Sequence, residues 1–186
     1  MNINEQNGFK TYTATPIGYL YEFYLSGPVG NSEEYVGWFE TIRKATKEDV
    51  IKIYINSEGG NMDTALQFTR VLQESQAYII ASVEGCCMSA ATIILLCANS
   101  YEISSNSMFM FHNYSGGVVG KGGEMYDNVM YERKWSEGFL NEVYVNFLDE
   151  AEIQSMLDNK DIWLTSREVS ERLNNLADIN EKESIE

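Results

Sequence analysis

The chain has 186 residues, of which 44% are apolar and 22% charged, a composition typical of one globular domain with a buried core. Its 28 Asp and Glu residues outnumber its 13 Lys and Arg residues, giving a formal net charge of −15. Because nucleic-acid backbones are bound by clustered cations, this balance argues against a nucleic-acid partner. No apolar run is long enough to cross a membrane, and residues 1–10 lack a signal-peptide pattern. We therefore expect a soluble cytoplasmic protein.

Hydrophobic periodicity predicts strands that alternate with helices along the chain. The predicted strands cover residues 19–26, 50–56, 77–83, 101–103 and 108–111. The first two predicted helices begin at Asn31 or Ser32 and after Gly60. A turn over residues 85–91 leads into an apolar helix that ends at Ala98, and a long helix runs from Glu124 to Leu148. Two further helices begin at Asp149 and Thr165. The last two starts are capping signatures, because each polar residue is followed three positions later by glutamate.

This alternation predicts an α/β fold, in which buried parallel strands are joined by crossover helices. In such sheets, functional sites collect where a strand leads into a helix. Two of these junctions, residues 56–60 and residues 85–89, carry glycines and polar side chains. We expect the functional site to lie where these two junctions meet.

Ser89 and His112 are the candidate nucleophile and base. Ser89 lies among small residues at the start of an apolar helix, whose partial positive charge favours a developing anion. His112 is the only histidine and ends the apolar run 108–112. Each residue taken alone has an ordinary structural interpretation, since Ser89 fits a helix cap and His112 fits a satisfied core histidine.

The three cysteines, Cys86, Cys87 and Cys97, lie in one apolar segment. An odd number, two of them adjacent, does not predict a disulfide framework, and no CxxC pair offers zinc ligands. We expect small buried hydrophobic residues in a reducing compartment, with no metal and no cofactor.

Four segments together carry a family resemblance. They are residues 54–60 (YINSEGG), 85–91 (GCCMSAA), 110–113 (MFHN) and 161–165 (DIWLT). In order and spacing they resemble the Clp protease proteolytic subunit family, ClpP, from about residue 21 to residue 178. The resemblance implies a ClpP/crotonase-type fold, in which repeated β-β-α units form a parallel-sheet core with a protruding handle helix.

The resemblance also implies a single domain over residues 1–186. Residues 116–148 would supply the handle strand and helix, and residues 179–186 an acidic tail. It remains open whether residues 1–18 form an axial pore loop.

The resemblance assigns roles to individual residues. Ser89 matches the family's nucleophile, His112 its general base and Asp161 its orienting carboxylate. The backbone N–H groups of Gly60 and Ala90 match the oxyanion hole. The substrate-pairing strand corresponds to Gly116, Gly117, Val118 and Val119.

The implied function is that of a serine endopeptidase acting on unfolded polypeptides inside a chamber built from two heptameric rings, a tetradecamer. A Clp-type AAA+ ATPase would feed it. Asn159 and Lys160 replace an acid–arginine pair that often bridges the rings, and Glu74 occupies an aromatic position of the ATPase-docking pocket. These departures fit a divergent member of the family, such as one encoded by a phage.

Three alternatives stay open at the level of sequence. One is a dedicated phage or prohead-type maturation protease of the same fold. A second is a crotonase-type enzyme acting on an acyl-CoA, which shares the fold and the backbone oxyanion hole. The third is an inactive ring subunit kept for assembly, although its usual mark is loss of a catalytic residue.

Overall fold

The structure is a computed structural model that describes residues 2–6, 9–13 and 18–183, with side-chain surroundings for residues 18–176. The strands are β1 (Asn2–Gln6), β2 (Phe9–Thr13), β3 (Leu20–Ser26), β4 (Val50–Ser57), β5 (Tyr78–Met88), β6 (Ser100–Ile103), β7 (Met108–Phe111) and β8 (Ile162–Thr165). The helices are α1 (Val36–Lys44), α2 (Met62–Gln73), α3 (Ala90–Leu96), α4 (Gly122–Tyr144), α5 (Glu150–Leu157) and α6 (Ser166–Glu183). A 3₁₀ turn, Ser32–Tyr35, leads into α1.

The main sheet has six strands, and the α/β fold class is confirmed. Its order is β3-β4-β5-β7-β8, and β6 pairs with the first half of β5. All of these pairings are parallel except that of β7 with β8. β1 and β2 form a separate antiparallel pair. The short strand β8 was not predicted, because its four residues carry too little periodicity to be distinguished from a turn.

One face of the sheet forms the core. Ile51, Ile53 and Ile55 alternate along β4 and are buried against Phe39 of α1 and Phe68 of α2 within one hydrophobic cluster. This alternation places the apolar side chains of β4 under the helices and leaves the other face of the sheet more polar. No helix in the described part of the chain is long and apolar enough to cross a membrane.

The strand β5 is longer than predicted, because residues 85–88 continue it where a turn was expected. Its pairing with β4 shifts between Ile55 and Ser57, which leaves extra residues on β5. The side chain of Asn56 fills this irregularity, and its Oδ1 accepts a hydrogen bond of 3.1 Å from the backbone N–H of Cys86. A Cβ atom on Gly85 would clash with that same oxygen. Glycine and asparagine thus let β5 continue to Met88.

The helix α4 begins at Gly122 and ends at Tyr144, slightly before the predicted end at Leu148. It ends there because the backbone N–H groups of Phe147 and Leu148 both donate to the carbonyl of Tyr144, which closes a tight turn. Its first half is exposed almost all round, whereas its last turns bury Leu140 and Tyr144. α4 therefore extends away from the body of the chain at its N-terminal end.

Two other predicted segments, the handle strand and the acidic tail, stay predictions. The strand expected at residues 116–119 is absent from the single chain, where residues 112–119 form no regular secondary structure. A strand needs a hydrogen-bonding partner, and none of the strands that the structure describes runs beside that segment. The predicted acidic tail, residues 179–186, overlaps the end of α6, which runs to Glu183, and residues 184–186 lie outside the described residues.

The two predicted capping signatures are confirmed. Asp149 accepts a hydrogen bond from the backbone N–H of Glu152 at 2.8 Å, and the Glu152 carboxylate accepts one from the Asp149 N–H at 3.0 Å. At the start of α6, the backbone N–H of Thr165 donates to Glu168 at 2.8 Å.

Candidate active site

Ser89 occupies a strained turn between β5 and α3. Its φ of 53° and ψ of −128° lie in a region that L-residues rarely adopt, at a cost of about 1–3 kcal/mol. Hydrogen bonds hold the turn on both sides: the N–H of Ser89 donates to the carbonyl of Met110 at 2.8 Å, and its carbonyl accepts from the N–H of Thr92 at 2.9 Å. The strand and the helix thereby fix the backbone from which the Ser89 hydroxyl projects.

His112 meets Ser89 at the neighbouring strand end. It follows β7, whose Phe109 and Phe111 are fully buried, and its Nε2 lies 2.6 Å from Oγ of Ser89. The ring is largely shielded, with 23% of the side chain exposed. We assign the neutral tautomer with the proton on Nδ1, because Nε2 then accepts the hydroxyl proton while Nδ1 faces a carboxylate. The predicted pair is brought together by β5 and β7.

Asp161 lies on the other side of the imidazole. Its Oδ1 is 3.9 Å from Nδ1 of His112, and 51% of its side chain is exposed. The turn that delivers it depends on Asn159, whose φ of 63° ends α5 in the left-handed conformation that asparagine tolerates well. The backbone N–H of Lys160 then bonds back to the carbonyl of Ser155. The three predicted catalytic residues thus converge, with Asp161 beyond hydrogen-bonding distance.

The predicted oxyanion donors lie beside the serine. Gly59 is packed so closely on residues 88–90 that a Cβ atom there would clash with Ser89 and with the carbonyl of Met88. Gly60 is held by a parallel bridge to Val29. The hydrogen bonds found among the described residues give neither Gly60 nor Ala90 an acceptor for its N–H. Two backbone N–H groups without an acceptor among the described residues therefore lie in the Gly59–Gly60 loop and at the start of α3, next to the Ser89 turn.

The predicted substrate-binding segment follows His112 along the chain and is largely exposed. Gly116 and Gly117 are exposed, and a Cβ atom on either would meet no atom within 4 Å. Val118 is half-buried, whereas Val119 is fully exposed. The backbone of this segment is therefore open to an incoming chain.

Cavities lie on both sides of residues 115–117. One, of about 430 Å³, reaches the side chains of Met62, Leu66 and Trp135. The other, of about 570 Å³, reaches Leu157 and Asn159. Both offer room for side chains of a bound peptide.

The cysteines near the site do not compete as nucleophiles. Burial, together with the charge of Glu58, raises the pKa of the Cys86 thiol, which keeps it protonated. Burial also raises the pKa of Cys87, which is completely buried, and raises that of Cys97 to about 11. All three cysteines are free thiols; Cys87 is buried, as predicted, whereas Cys86 and Cys97 are partly exposed.

Two residues at the site were missed by the sequence analysis. The hydroxyl of Thr92 donates to the carbonyl of Ser89 at 2.7 Å, and the hydroxyl of Tyr144 lies 2.7 Å from that of Thr92. Tyr144 lay on the predicted handle helix, but no sequence pattern indicates a contact between residues 52 positions apart.

The arrangement is suited to acyl transfer, because a hydroxyl bonded to an imidazole lies beside backbone donors that can bind an oxyanion. The fold and the site thus define an α/β protein with a hydrolase-type centre at the carboxyl ends of its strands. A sequence profile described as Clp protease matches residues 31–178, most of the chain. The chain therefore belongs to the Clp protease family, and this membership implies a peptidase. A comparison with curated proteins found none that matches the chain.

Proposed function

We propose that this protein is a serine endopeptidase that hydrolyses peptide bonds of unfolded polypeptides. The observation that carries the proposal is the 2.6 Å contact between Nε2 of His112 and Oγ of Ser89. A serine bonded in this way is activated, since the imidazole is placed to accept its proton during attack.

The proposed reaction is a two-step acyl transfer. Oγ of Ser89 attacks the carbonyl carbon of the scissile peptide bond as His112 takes the hydroxyl proton. His112 returns that proton to the leaving amine, and an acyl-enzyme ester remains on Ser89. A water molecule, deprotonated by His112, then attacks the ester; the bond from the acyl carbon to Oγ of Ser89 breaks, the acid is released, and His112 returns the proton to Oγ. Asp161 stabilises the imidazolium that forms in each step.

The N–H groups of Gly60 and Ala90 are the proposed oxyanion hole. Negative charge develops on the carbonyl oxygen in both tetrahedral intermediates, and donors held in place beforehand stabilise it without reorganisation. The packing of Gly59 on Ser89 supports this role, because it brings the Gly60 loop against the start of α3.

The substrate would bind as an extended strand along Gly116, Gly117, Val118 and Val119. Support comes from the exposed backbone of these residues, which has no partner in the described part of the chain. Main-chain hydrogen bonds bind a peptide with little regard to sequence, as degradation of unfolded chains requires. Side chains of the peptide would enter the cavities beside residues 115–117, whose apolar parts are Met62, Leu66, Trp135 and Leu157.

We also propose that the chain assembles into heptameric rings that stack as a tetradecamer and enclose the sites. The first half of α4 supports this, because it is exposed almost all round and yet carries Tyr126, Val129, Met130 and Tyr131. An isolated helix with that much exposed apolar surface needs a partner. Family membership supports the ring itself.

Family membership is the support for a Clp-type AAA+ ATPase as the partner that delivers substrates. The sheet around Tyr54 combines exposed aromatic rings with charges: Tyr54 stacks on Tyr24 with the ring centroids 4.7 Å apart, Lys52 bridges to Glu102 at 2.7 Å, and Glu102 also accepts from Ser82. Glu74, which follows α2, pairs with Arg70 one turn earlier. The ATPase would therefore need docking groups that complement both the stacked tyrosines and the ion pairs.

The acyl-CoA alternative is disfavoured by charge. The two cavities beside the site are lined by the carboxylates of Asp63, Glu132 and Asp158 against the single cation of Arg133. CoA carries several phosphates, which such a surface repels. Peptide hydrolysis requires no phosphate-binding surface.

The test is covalent labelling with a fluorophosphonate, followed by peptide mapping, together with cleavage of a fluorescently labelled unfolded protein. We expect one labelled residue, Ser89, and loss of both labelling and cleavage in Ser89→Ala. Cys86→Ala is the matched control, because it removes a neighbouring nucleophile that the proposal does not use. Labelling that survives in Ser89→Ala, or is lost in Cys86→Ala alone, contradicts the proposal.

A further inference from the structure

A chain of two hydroxyl groups leads from the last turn of α4 to the backbone of Ser89. Oγ1 of Thr92 lies 2.7 Å from the carbonyl oxygen of Ser89, and Oη of Tyr144 lies 2.7 Å from Oγ1 of Thr92. Both side chains belong to residues that are fully buried, at 0% and 1% exposure. These hydrogen bonds are thus sheltered from competing water.

The chemistry of the groups fixes the direction of the hydrogen bonds. A carbonyl oxygen only accepts, so the single hydroxyl proton of Thr92 is donated to Ser89. The proton between the two hydroxyls must therefore come from Tyr144. Burial raises the pKa of the Tyr144 phenol, which keeps it protonated as a donor. Each bond polarises the next, so donation by Tyr144 strengthens donation by Thr92.

The carbonyl that these groups hold belongs to the same peptide unit as the Ala90 N–H. A trans peptide is planar, and its C=O and N–H point in opposite directions. Fixing the carbonyl of Ser89 therefore fixes the direction of the Ala90 N–H. This peptide needs such support, because Ser89 has a positive φ, which is strained for an L-residue.

The ring of Tyr144 also supports the strand that carries His112. It packs edge-on against Phe111 with the ring centroids 5.7 Å apart, and Phe111 directly precedes His112. The ring of Tyr144 thus contacts the strand that leads to His112, while its hydroxyl is linked through Thr92 to the Ser89 turn.

We propose that Thr92 and Tyr144 are positioning residues that aim the Ala90 N–H at the oxyanion. This inference rests on the proposed function, since it assigns a role within the proposed oxyanion hole. It predicts a defect in transition-state stabilisation, not in substrate binding. Loss of a complete oxyanion donor lowers kcat by about 10²–10³, which sets the upper limit for a donor that is only misdirected.

The experiment measures kcat and KM for a short fluorogenic peptide, and the rate at which a fluorophosphonate labels Ser89. Thr92→Val keeps the shape of the side chain and removes its hydroxyl, and we expect kcat and the labelling rate to fall about tenfold while KM stays within about twofold. Thr92→Ser keeps the hydroxyl and should restore most of the activity. Tyr144→Phe keeps the ring on Phe111, and we expect a loss of about threefold.

A double variant and a matched control sharpen the result. Because Tyr144 acts through Thr92, combining Tyr144→Phe with Thr92→Val should slow catalysis no more than Thr92→Val alone. Thr69→Val is the control, since its hydroxyl bonds the carbonyl of Ala65 within α2 and contacts no residue of the site. It should leave the labelling rate unchanged.

The outcomes separate this inference from the proposed function. Wild-type protein that is not labelled at Ser89 overturns the proposed function and this inference with it. Wild-type protein that is labelled, with folded Thr92→Val reacting at the same rate, overturns this inference alone. Equal defects in Thr92→Val and Thr92→Ser also overturn it, because shape and not the hydroxyl would then matter. Should Thr92→Val fail to fold, Tyr144→Phe decides, and a wild-type kcat in that variant overturns the inference.

Discussion

Oδ1 of Asp161 lies 3.9 Å from Nδ1 of His112, beyond the range of a hydrogen bond, whereas the other ring nitrogen lies 2.6 Å from Ser89. The serine and histidine are fixed by neighbouring strands of one sheet. Asp161 instead follows the turn at Asn159 and is half-exposed. The positions of Ser89 and His112 are therefore fixed by more of the fold than the position of Asp161.

This difference predicts unequal effects of two substitutions on peptide cleavage. His112→Ala removes the only histidine of the chain and should lower kcat/KM by about 10⁴ or more. Asp161→Asn removes a charge that makes no hydrogen bond to the ring, so we expect a loss about 10- to 100-fold smaller. Steady-state kinetics on a fluorogenic peptide measure both. Asp127→Asn, an exposed carboxylate on α4, is the control, and equal losses in the His112 and Asp161 variants would contradict the prediction.

Ser89 and His112 could be proposed from the residues alone, because each lies at a strand end, whereas Asp161 was indicated only by the family resemblance. Ser89 and His112 end two adjacent strands, so their meeting follows from the parallel sheet. The distance to Asp161 could not be predicted, since it depends on how α5 ends at Asn159. The continuation of β5 to Met88 could not be predicted either, because it depends on a hydrogen bond from the Cys86 N–H to the Asn56 side chain on the neighbouring strand. A side chain that satisfies a remote backbone group leaves no periodicity to detect.

A second prediction concerns Gly59, whose φ of 90° suits glycine alone. In Gly59→Ala the new Cβ atom would press on Ser89 and on the carbonyl of Met88, which moves the Gly60 loop away from the nucleophile. We expect kcat/KM for peptide cleavage to fall at least about 100-fold, the effect of losing one oxyanion donor. The strain should also lower the free energy of unfolding by about 1–3 kcal/mol.

The matched control for that substitution is Gly37→Ala in α1. Gly37 has no atom within 4 Å of its added Cβ, and its backbone is helical. Alanine there should leave cleavage unchanged and stabilise the fold by about 0.5–1 kcal/mol, as measured by thermal melting. Normal cleavage by Gly59→Ala would remove the Gly60 loop from the oxyanion hole.

A third prediction concerns the acid stability conferred by Glu152. The guanidinium of Arg172, on α6, donates hydrogen bonds to both carboxylate oxygens of Glu152, at 2.7 Å and 2.8 Å. This pairing holds the pKa of Glu152 below its ordinary value of 4.5. A carboxyl whose pKa is lowered on folding stabilises the fold above its unfolded pKa, and this stabilisation is lost as pH falls through the folded value. The contribution of Glu152 is thus complete at neutral pH and disappears in acid.

Glu152→Gln isolates this effect, because glutamine at this position can still cap the start of α5. At pH 7 we expect its free energy of unfolding to be about 1–2 kcal/mol lower than that of the wild type. The deficit should shrink as pH falls below 4.5, the ordinary pKa, and vanish once the pH is below the lowered pKa of the folded protein, as thermal melts from neutral into acid pH would show. Glu40→Gln, which breaks an exposed pair with Lys44, should cost less than about 0.5 kcal/mol. A Glu152→Gln deficit that keeps its size at every acid pH at which the protein is still folded would refute the link to ionisation.

The fourth prediction tests the proposed assembly through the exposed apolar stripe of α4, formed by Tyr126, Val129 and Met130. Residues three and four positions apart share one helix face, so a charge within this stripe would be buried in a contact between two copies of α4. Met130→Glu should therefore separate stacked rings, lowering the native mass from about 300 kDa for fourteen chains of 21.2 kDa to half that value or less. Asn128→Glu adds the same charge on the opposite face and should leave the mass unchanged. Native mass spectrometry of both variants decides the matter, because a wild-type mass for Met130→Glu would show that this stripe faces solvent in the assembly.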